Sequence, residues 1–321
     1  MNYNFEVSIV IPLFNEEESL PELTQWIETV FQKFEKTYEL IFVDDGSEDR
    51  SWEVIQELAK KNPNIKAVSF NRNYGKSAGL NTGFSLATGK VVITMDADLQ
   101  DSPEEIPGLY AMIVEEGYHL VSGWKKKRFD PISKTIPTKL FNAVTRYFSG
   151  IHLHDFNCGL KAYQHRVVKS IEIYGEMHRY IPVIAKWHGF KKIGEKVVEH
   201  RARKYGVTKF GLERFLYGFL DLLSITFVTR FRKRPMHFFG AWGLLSFIIG
   251  FSITMRLVVE KFYKSKMGIP VRDVTEQPLF YLALVAVIVG VQLFLAGYIS
   301  EMMNSYNHKK NEYLLADRVN C

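Results

Sequence analysis

The sequence predicts an α/β domain with a mainly parallel sheet, followed by an amphipathic helix and two transmembrane helices. β-branched apolar runs alternate with helical apolar spacing from residue 7 to residue 122, a pattern that builds parallel sheets covered by helices. Acidic turns follow three of those runs. No charged residue occurs in 238–255 or in 278–300, and each stretch is about as long as a helix that crosses a hydrocarbon core. With 47% hydrophobic and 24% charged residues in 321, the average composition is that of a globular protein. That excludes a disordered tail, a collagen-like repeat and a disulfide scaffold.

The elements follow in order. Residues 7–14 are the first strand, ended by the polar segment 15–19. Leu20, Leu23, Trp26, Ile27, Val30, Phe31 and Phe34 then line one helical face. Residues 39–43 are a second buried strand, closed by the turn Asp44-Asp-Gly-Ser47. Residues 51–61 read as a helix, 65–70 as a third strand, 77–88 as a helix of small residues, 91–95 as a fourth strand and 120–122 as a fifth. Beyond residue 130 the pattern loosens: 134–148 is helix-like, 153–163 strand-like with an internal Asn157-Cys-Gly159 turn, 176–187 a helix with Pro182 in its first turn, and 193–200 a strand. Residues 210–231 are apolar but carry Glu213, Arg214 and Asp221, which suits a helix lying on a membrane surface. The expected domains are 1–209 (catalytic), 210–235 (juxtamembrane helix and basic linker), 236–300 (a two-helix hairpin joined by the polar segment 260–277) and 301–321 (tail).

The net charge of +6 is concentrated: residues 201–234 hold nine basic residues against Glu213 and Asp221. A basic block before a spanning helix points to a cytoplasmic, anionic-lipid-facing surface; the adjoining spans argue against nucleic acid as partner. Cys158 and Cys321 show no metal spacing and read as free thiols in a reducing compartment. Met1 to Glu6 leads straight into a strand, so no signal peptide is expected.

The chemistry centres on Asp96-Ala-Asp-Leu-Gln100. In extended backbone, residues two apart point the same way, so Asp96, Asp98 and Gln100 present two carboxylates and an amide oxygen on one side. Hard oxygen ligands with few protein contacts suit Mg2+ or Mn2+ completed by substrate phosphates. Ligands of such sheets gather at the carboxyl ends of the strands. Three of those ends carry acids here: Glu16, the pair Asp44 and Asp45, and the pair Asp96 and Asp98.

Four segments in order, Ser8-Ile-Val-Ile-Pro-Leu-Phe-Asn-Glu16, Val43-Asp-Asp-Gly-Ser47, Asn71-Arg-Asn-Tyr-Gly-Lys76 and Met95-Asp-Ala-Asp-Leu-Gln100, resemble family-2 glycosyltransferases of the polyprenyl-phosphate type. The resemblance covers about residues 5–210 by motif, and the two-span tail matches in layout. It implies a Rossmann-like GT-A domain that moves a sugar, with inversion, from a nucleotide sugar to a polyprenyl phosphate. UDP-glucose is the expected donor, with GDP-mannose or a modified UDP-sugar as alternatives. The product would be a lipid-linked sugar donor for cell-envelope glycosylation.

The same resemblance implies residue roles. Pro12, Phe14, Glu16, Val43, Asp45 and Ala97 would surround the nucleotide sugar, and Asp96, Asp98 and Gln100 would hold the metal on its diphosphate. Lys125 would meet the acceptor phosphate where the family has an arginine, with Lys134 and Thr138 beside it. Arg203 and Lys209, in Arg203-Lys-Tyr-Gly-Val-Thr-Lys209, would close over the phosphates, and Asp155 would orient groups near the reaction centre. Asp98, Asp155 and Arg203 are thus the expected catalytic set. The expected location is the inner membrane, multi-pass, with the catalytic domain cytoplasmic and with homo-oligomers formed through the spans. A processive polysaccharide synthase typically carries Gln-x-x-Arg-Trp, and none of the five tryptophans here follows an arginine. A membrane-tethered nucleotide-sugar-binding subunit without turnover is the rival from another class.

Overall fold

The computed structural model describes residues 3–126, 142–147, 149–201, 204, 235–270 and 272–305. They fall into two units, one within Met1–Ser224 and one within Ile225–Cys321.

The first unit is a seven-stranded sheet with strand order β3-β2-β1-β4-β6-β5-β7. Its strands are β1 (Phe5–Leu13), β2 (Tyr38–Asp44), β3 (Ile65–Ser69), β4 (Gly89–Thr94), β5 (Leu120–Trp124), β6 (Lys161–Gln164) and β7 (Ile193–Val197). The first four pair in parallel. β6 then runs antiparallel between β4 and β5, and β7 is parallel to β5. Val7, Ile9, Val10 and Ile11 of the central β1 are fully buried, as a strand covered on both faces must be.

Helices α1 (Leu20–Phe34), α2 (Ser51–Lys61), α3 (Lys76–Leu86) and α4 (Ile106–Val114) supply the cover. Leu20, Leu23, Ile27 and Phe31 of α1 join the strand core. The small residues of α3 have a steric reason: a Cβ on Gly83 would lie 2.2 Å from Val10 Cγ1, so this helix sits directly on β1. A polar knot ties the amino ends of the strands. Buried Glu39 accepts from Ser8 Oγ (2.5 Å), Thr88 N (2.7 Å), Thr88 Oγ1 (2.9 Å) and Lys66 Nζ (2.5 Å).

Three expectations are corrected. Residues 153–163 are strand only in β6, after the expected turn: Asp155 Oδ1 accepts from the amide of Asn157 at 3.0 Å, so the chain already turns before Cys158, while Leu153, Phe156 and Leu160 stay buried. Residues 176–187 split into a 3-10 turn (Met177–Tyr180) and α6 (Ile181–Trp187), with Pro182 in the first turn of α6; α5 (His165–Ser170) precedes them. The strand expected over 193–200 stops at Val197, and His200 makes an isolated antiparallel bridge to Asp101. Of the helix expected over 134–148, residues 142–147 are helical, and the surface helix expected over 210–231 lies outside the described residues.

The second unit is a hairpin of α7 (Pro235–Lys266) and α8 (Pro278–Ser305), both long and apolar enough to cross a membrane. α7 continues through 260–266, which the sequence assigned to the connecting segment. Leu244, Phe251, Leu282 and Val285 are exposed, unlike side chains of a core helix. The helices meet at glycines: a Cβ on Gly290 would lie 2.7 Å from Gly243 O, and one on Gly250 2.5 Å from Ala283 O. Ser246 Oγ donates to Ala286 O at 2.8 Å. Small residues that let backbones approach are what helix pairing in lipid requires.

Candidate active site

Because β2, β1 and β4 are parallel neighbours, their carboxyl ends lie side by side and bring the three acidic turns to one edge. After β1, Pro12 is buried and Phe14 and Glu16 are partly exposed. Glu16 accepts from Ser19 Oγ through Oε2 at 3.1 Å, and its amide donates to Ser51 Oγ at 2.9 Å. After β2, Val43 is buried and the two aspartates divide their work. Asp44 accepts from Ser47 N (3.1 Å) and Ser69 Oγ (2.7 Å), which closes the turn. Asp45 accepts from Tyr74 N (2.7 Å) and Gly75 N (2.9 Å), so it holds the loop that leads into α3.

After β4, Met95, Ala97 and Leu99 are buried while Asp96, Asp98 and Gln100 are partly exposed. The extended backbone expected over 96–100 is corrected: the strand ends at Thr94, and the segment bends through Leu99, whose φ is a left-handed 59°. Asp96 forms a salt bridge with Lys76, the first residue of α3. Burial works against its ionised form, yet the charge of Lys76 holds its pKa down at about 2. Asp98 accepts from Gln100 N at 3.2 Å and is pushed up to about 6 by burial and by the charges of Asp96 and Asp101. Gln100 donates its side-chain amide to Arg201 O at 3.4 Å and accepts from Arg201 N, at 3.0 Å, through its own carbonyl. Arg201 is thereby fastened to Gln100, next to the two aspartates in sequence.

The residues present fit a divalent cation. Asp96 and Asp98 lie near enough that the Asp96 charge raises the Asp98 pKa, and the Oδ2 of the neighbouring Asp101 is buried with no hydrogen-bond partner among the described residues. No group of three or more His, Cys, Asp or Glu side chains forms a cage among those residues. An ion held by two carboxylates would take its remaining oxygens from phosphate and water, the Mg2+-type arrangement.

Lys125 Nζ pairs with Asp101 Oδ1 rather than facing open solvent. Asp155 is buried; its carbonyl accepts from Ser122 Oγ at 3.1 Å. Lys134, Thr138, Arg203 and Lys209 lie outside the described residues. Cys158 is buried and free, its thiol pushed up to about 12 by burial and by Asp101, so it is no nucleophile at neutral pH. Sequence reasoning gave no role to Lys76, Asp101, Lys161 or Arg179. Two of them carried a signal: Lys76 closes the segment Asn71-Arg-Asn-Tyr-Gly-Lys76, and Lys161 closes His154-Asp-Phe-Asn-Cys-Gly-Leu-Lys161.

Residues 8–171 match the sequence family described as glycosyl transferase family 2. The chain belongs to that family. A dodecaprenyl-phosphate galacturonate synthase from Rhizobium johnstonii is 34% identical over 94% of this chain and 88% of its own length. An undecaprenyl-phosphate 4-deoxy-4-formamido-L-arabinose transferase from Pseudomonas fluorescens is 36% identical over 78% of this chain and 74% of its own. Among solved structures, glucosyl-3-phosphoglycerate synthase from Mycobacterium tuberculosis in complex with UDP aligns with a TM-score of 0.55 at 20% identity, covering 70% of this chain and 80% of that one. The same enzyme with Mn2+, UDP-glucose and phosphoglyceric acid gives 0.55 at 19% identity. The catalytic unit of this glycosyltransferase therefore has the GT-A-type α/β fold, followed by two membrane-capable helices.

Proposed function

We propose that the protein transfers a sugar from a uridine diphosphate sugar to the phosphate of a polyprenyl phosphate, with inversion at the anomeric carbon. The observation that carries this reading is the Asp96–Asp98 pair at the carboxyl edge of the sheet, ahead of a two-helix membrane hairpin. The two relatives support the acceptor, since both are named for polyprenyl-phosphate products or substrates. Their sugars are galacturonate and a formamido-arabinose, which speaks against plain UDP-glucose, the donor expected from sequence.

Pro12, Phe14, Glu16, Val43, Asp45 and Ala97 would surround the nucleotide sugar, with Lys209 over its phosphates. Asp96 and Asp98, with Gln100 Oε1, would hold Mg2+ or Mn2+; the fold neighbour crystallised with Mn2+ and UDP-glucose supports the ion's class. When bound, such a cation neutralises charge on the departing diphosphate. The acceptor phosphate is anionic at neutral pH and needs no strong base. One of its oxygens bonds to the anomeric carbon, the carbon–oxygen bond to the diphosphate breaks, and the electron pair leaves with the nucleotide. The protein's task is to hold the two reactants in line and to stabilise the charge that develops. Asp155 would orient, Arg203 would meet the diphosphate, and Lys134 with Thr138 would meet the acceptor. Arg230, Arg232, Lys233 and Arg234 would keep the catalytic unit and the 307–321 tail on the cytoplasmic side.

The experiment is turnover by the full chain in detergent with undecaprenyl phosphate, Mg2+ or Mn2+ and a panel of UDP-sugars, read by mass spectrometry of the lipid. A lipid-linked monosaccharide supports the proposal. Transfer only to soluble acceptors overturns it, and nucleotide-sugar binding without turnover returns the chain to the scaffold class.

A further inference from the structure

Asp96 does not stand open to a cation. Its Oδ1 accepts from the Lys76 ammonium, and its Oδ2 lies where a Cβ on Gly159 would collide with it. The charges of Lys125 and Lys161 reach the same carboxylate. The negative charge that a divalent ion would seek there is thus already answered by ammoniums. Asp101 is engaged by Lys125. Asp98 remains: it accepts from the Gln100 amide at 3.2 Å and makes no salt bridge among the described residues. A single carboxylate holds Mg2+ or Mn2+ poorly, since such ions need several oxygens. No group of three or more His, Cys, Asp or Glu side chains completes the set among those residues.

The Lys76–Asp96 pair is able to open. The Lys76 side chain is 29% exposed and that of Asp96 31%, and ion pairs within reach of water are weak. The backbone that carries Lys76 is fixed on both sides. Asp45 accepts from Tyr74 N at 2.7 Å and from Gly75 N at 2.9 Å, and Ser77 Oγ accepts from His178 N at 3.0 Å. The moving part is therefore the side chain alone. A lysine carries a compact charge on a flexible four-carbon stem, so its ammonium can change partners while α3 stays in place.

We propose that Lys76 is a positioning residue that makes cation binding conditional on the nucleotide: its ammonium and the divalent ion compete for Asp96, and the donor diphosphate resolves the competition by offering the ammonium another anion. The inference rests on the metal assignment in the function proposed above. An ion arriving alone must displace Lys76 and gains little beyond Asp98. An ion arriving with a diphosphate brings its own oxygens, and the displaced ammonium pairs with phosphate. The protein then binds ion and donor together and holds no tightly bound cation in advance.

Mn2+ binding by the full chain in detergent is measured by equilibrium dialysis, with and without UDP, for wild type, Lys76→Met and Lys76→Arg. Wild type should hold Mn2+ weakly alone and tightly with UDP. Lys76→Met should bind Mn2+ alone roughly 10-fold or more tighter, because it loses both a competitor and a repelling charge. Its gain from UDP should shrink accordingly. Lys76→Arg keeps the charge and should stay close to wild type. Adding Asp96→Asn to Lys76→Met should abolish the tighter binding; tighter binding that survives overturns the competition at Asp96. Unchanged Mn2+ affinity in Lys76→Met also overturns the inference. So does wild type that holds Mn2+ as tightly alone as with UDP, a result that needs no variant to fold. These outcomes leave the metal assignment standing, whereas Mn2+ that fails to bind wild type even with UDP removes the metal from the proposed function as well.

Discussion

Lys125 Nζ lies 2.7 Å from Asp101 Oδ1, in an ion pair whose carboxylate is wholly buried and whose ammonium side chain is only 12% exposed. The pair joins the end of β5 to the segment just past the Asp96–Asp98 edge. Burial works against the Lys125 ammonium, but Asp101 outweighs it and raises its pKa above the ordinary lysine range. The charge offered by sequence to the acceptor phosphate is thus already engaged, and its removal has a structural cost.

Lys125→Met should destabilise the catalytic unit by about 3–5 kcal/mol, the usual result of leaving one member of a buried pair alone. Adding Asp101→Asn should recover part of that. Thermal unfolding of the two single variants and the double variant measures the coupling. An unchanged midpoint in Lys125→Met, with a raised KM for the lipid phosphate, would give the lysine back to the acceptor.

Asp98→Asn should leave the fold intact, because Asn resembles the protonated carboxyl that burial and the charges of Asp96 and Asp101 already favour. Metal-dependent transfer should nevertheless fall at least about 100-fold, as expected for lost electrostatic stabilisation of the transition state. Transfer by wild type that is undiminished by chelator would remove the metal from the reading.

Glu39 links pH to stability. Burial raises its pKa, but Lys66, Ser8 and Thr88 together bring it below the ordinary glutamate range. The unfolded chain therefore binds the proton more readily, near pH 4.3. The stabilisation is complete above that pH and is lost as pH falls through the lower, folded value. Glu39→Gln should cost about 1–3 kcal/mol at pH 7 and flatten the acid limb of a stability–pH profile. An acid limb identical to that of wild type would assign it to other groups.

Gly290→Leu should part the hairpin, because a Cβ there meets Gly243 O at 2.7 Å. Paired cysteines at Ser246→Cys and Ala286→Cys should cross-link in the parent and fail to do so once Gly290→Leu is added. Cross-linking that survives would show the two helices accommodating the side chain.

The loop between the spans should be reached from outside the cell. Met267→Cys, an exposed position, should react with an impermeant maleimide on intact cells, while a cysteine near residue 310 should not. The opposite labelling would invert the topology.

Much of this was legible in residues. The β-branched runs 7–14, 39–43 and 91–95 mark three neighbouring strands, and their parallel pairing is what gathers Glu16, Asp45 and Asp96. The contacts that complete the site were not legible, because they join residues far apart in the chain: Lys76 with Asp96, and Asp101 with Lys125. Gln100, expected as a metal ligand, bonds the chain that returns after β7, which spacing cannot reveal. Residues 153–163 misled for another reason. Alternating apolar side chains can be buried by successive turns as well as by a strand, and Asp155 accepting from Asn157 N selects the turns.

The grip of Asp45 on the amides of Tyr74 and Gly75 has a thermodynamic and kinetic consequence. Two segments that would flank the nucleotide are locked together before any ligand arrives, so their ordering entropy is spent at folding and not on association. A donor bound at this edge would meet a contact already formed, with encounter governed by diffusion and charge. Among related donors, affinity differences should be expressed in how slowly each one leaves.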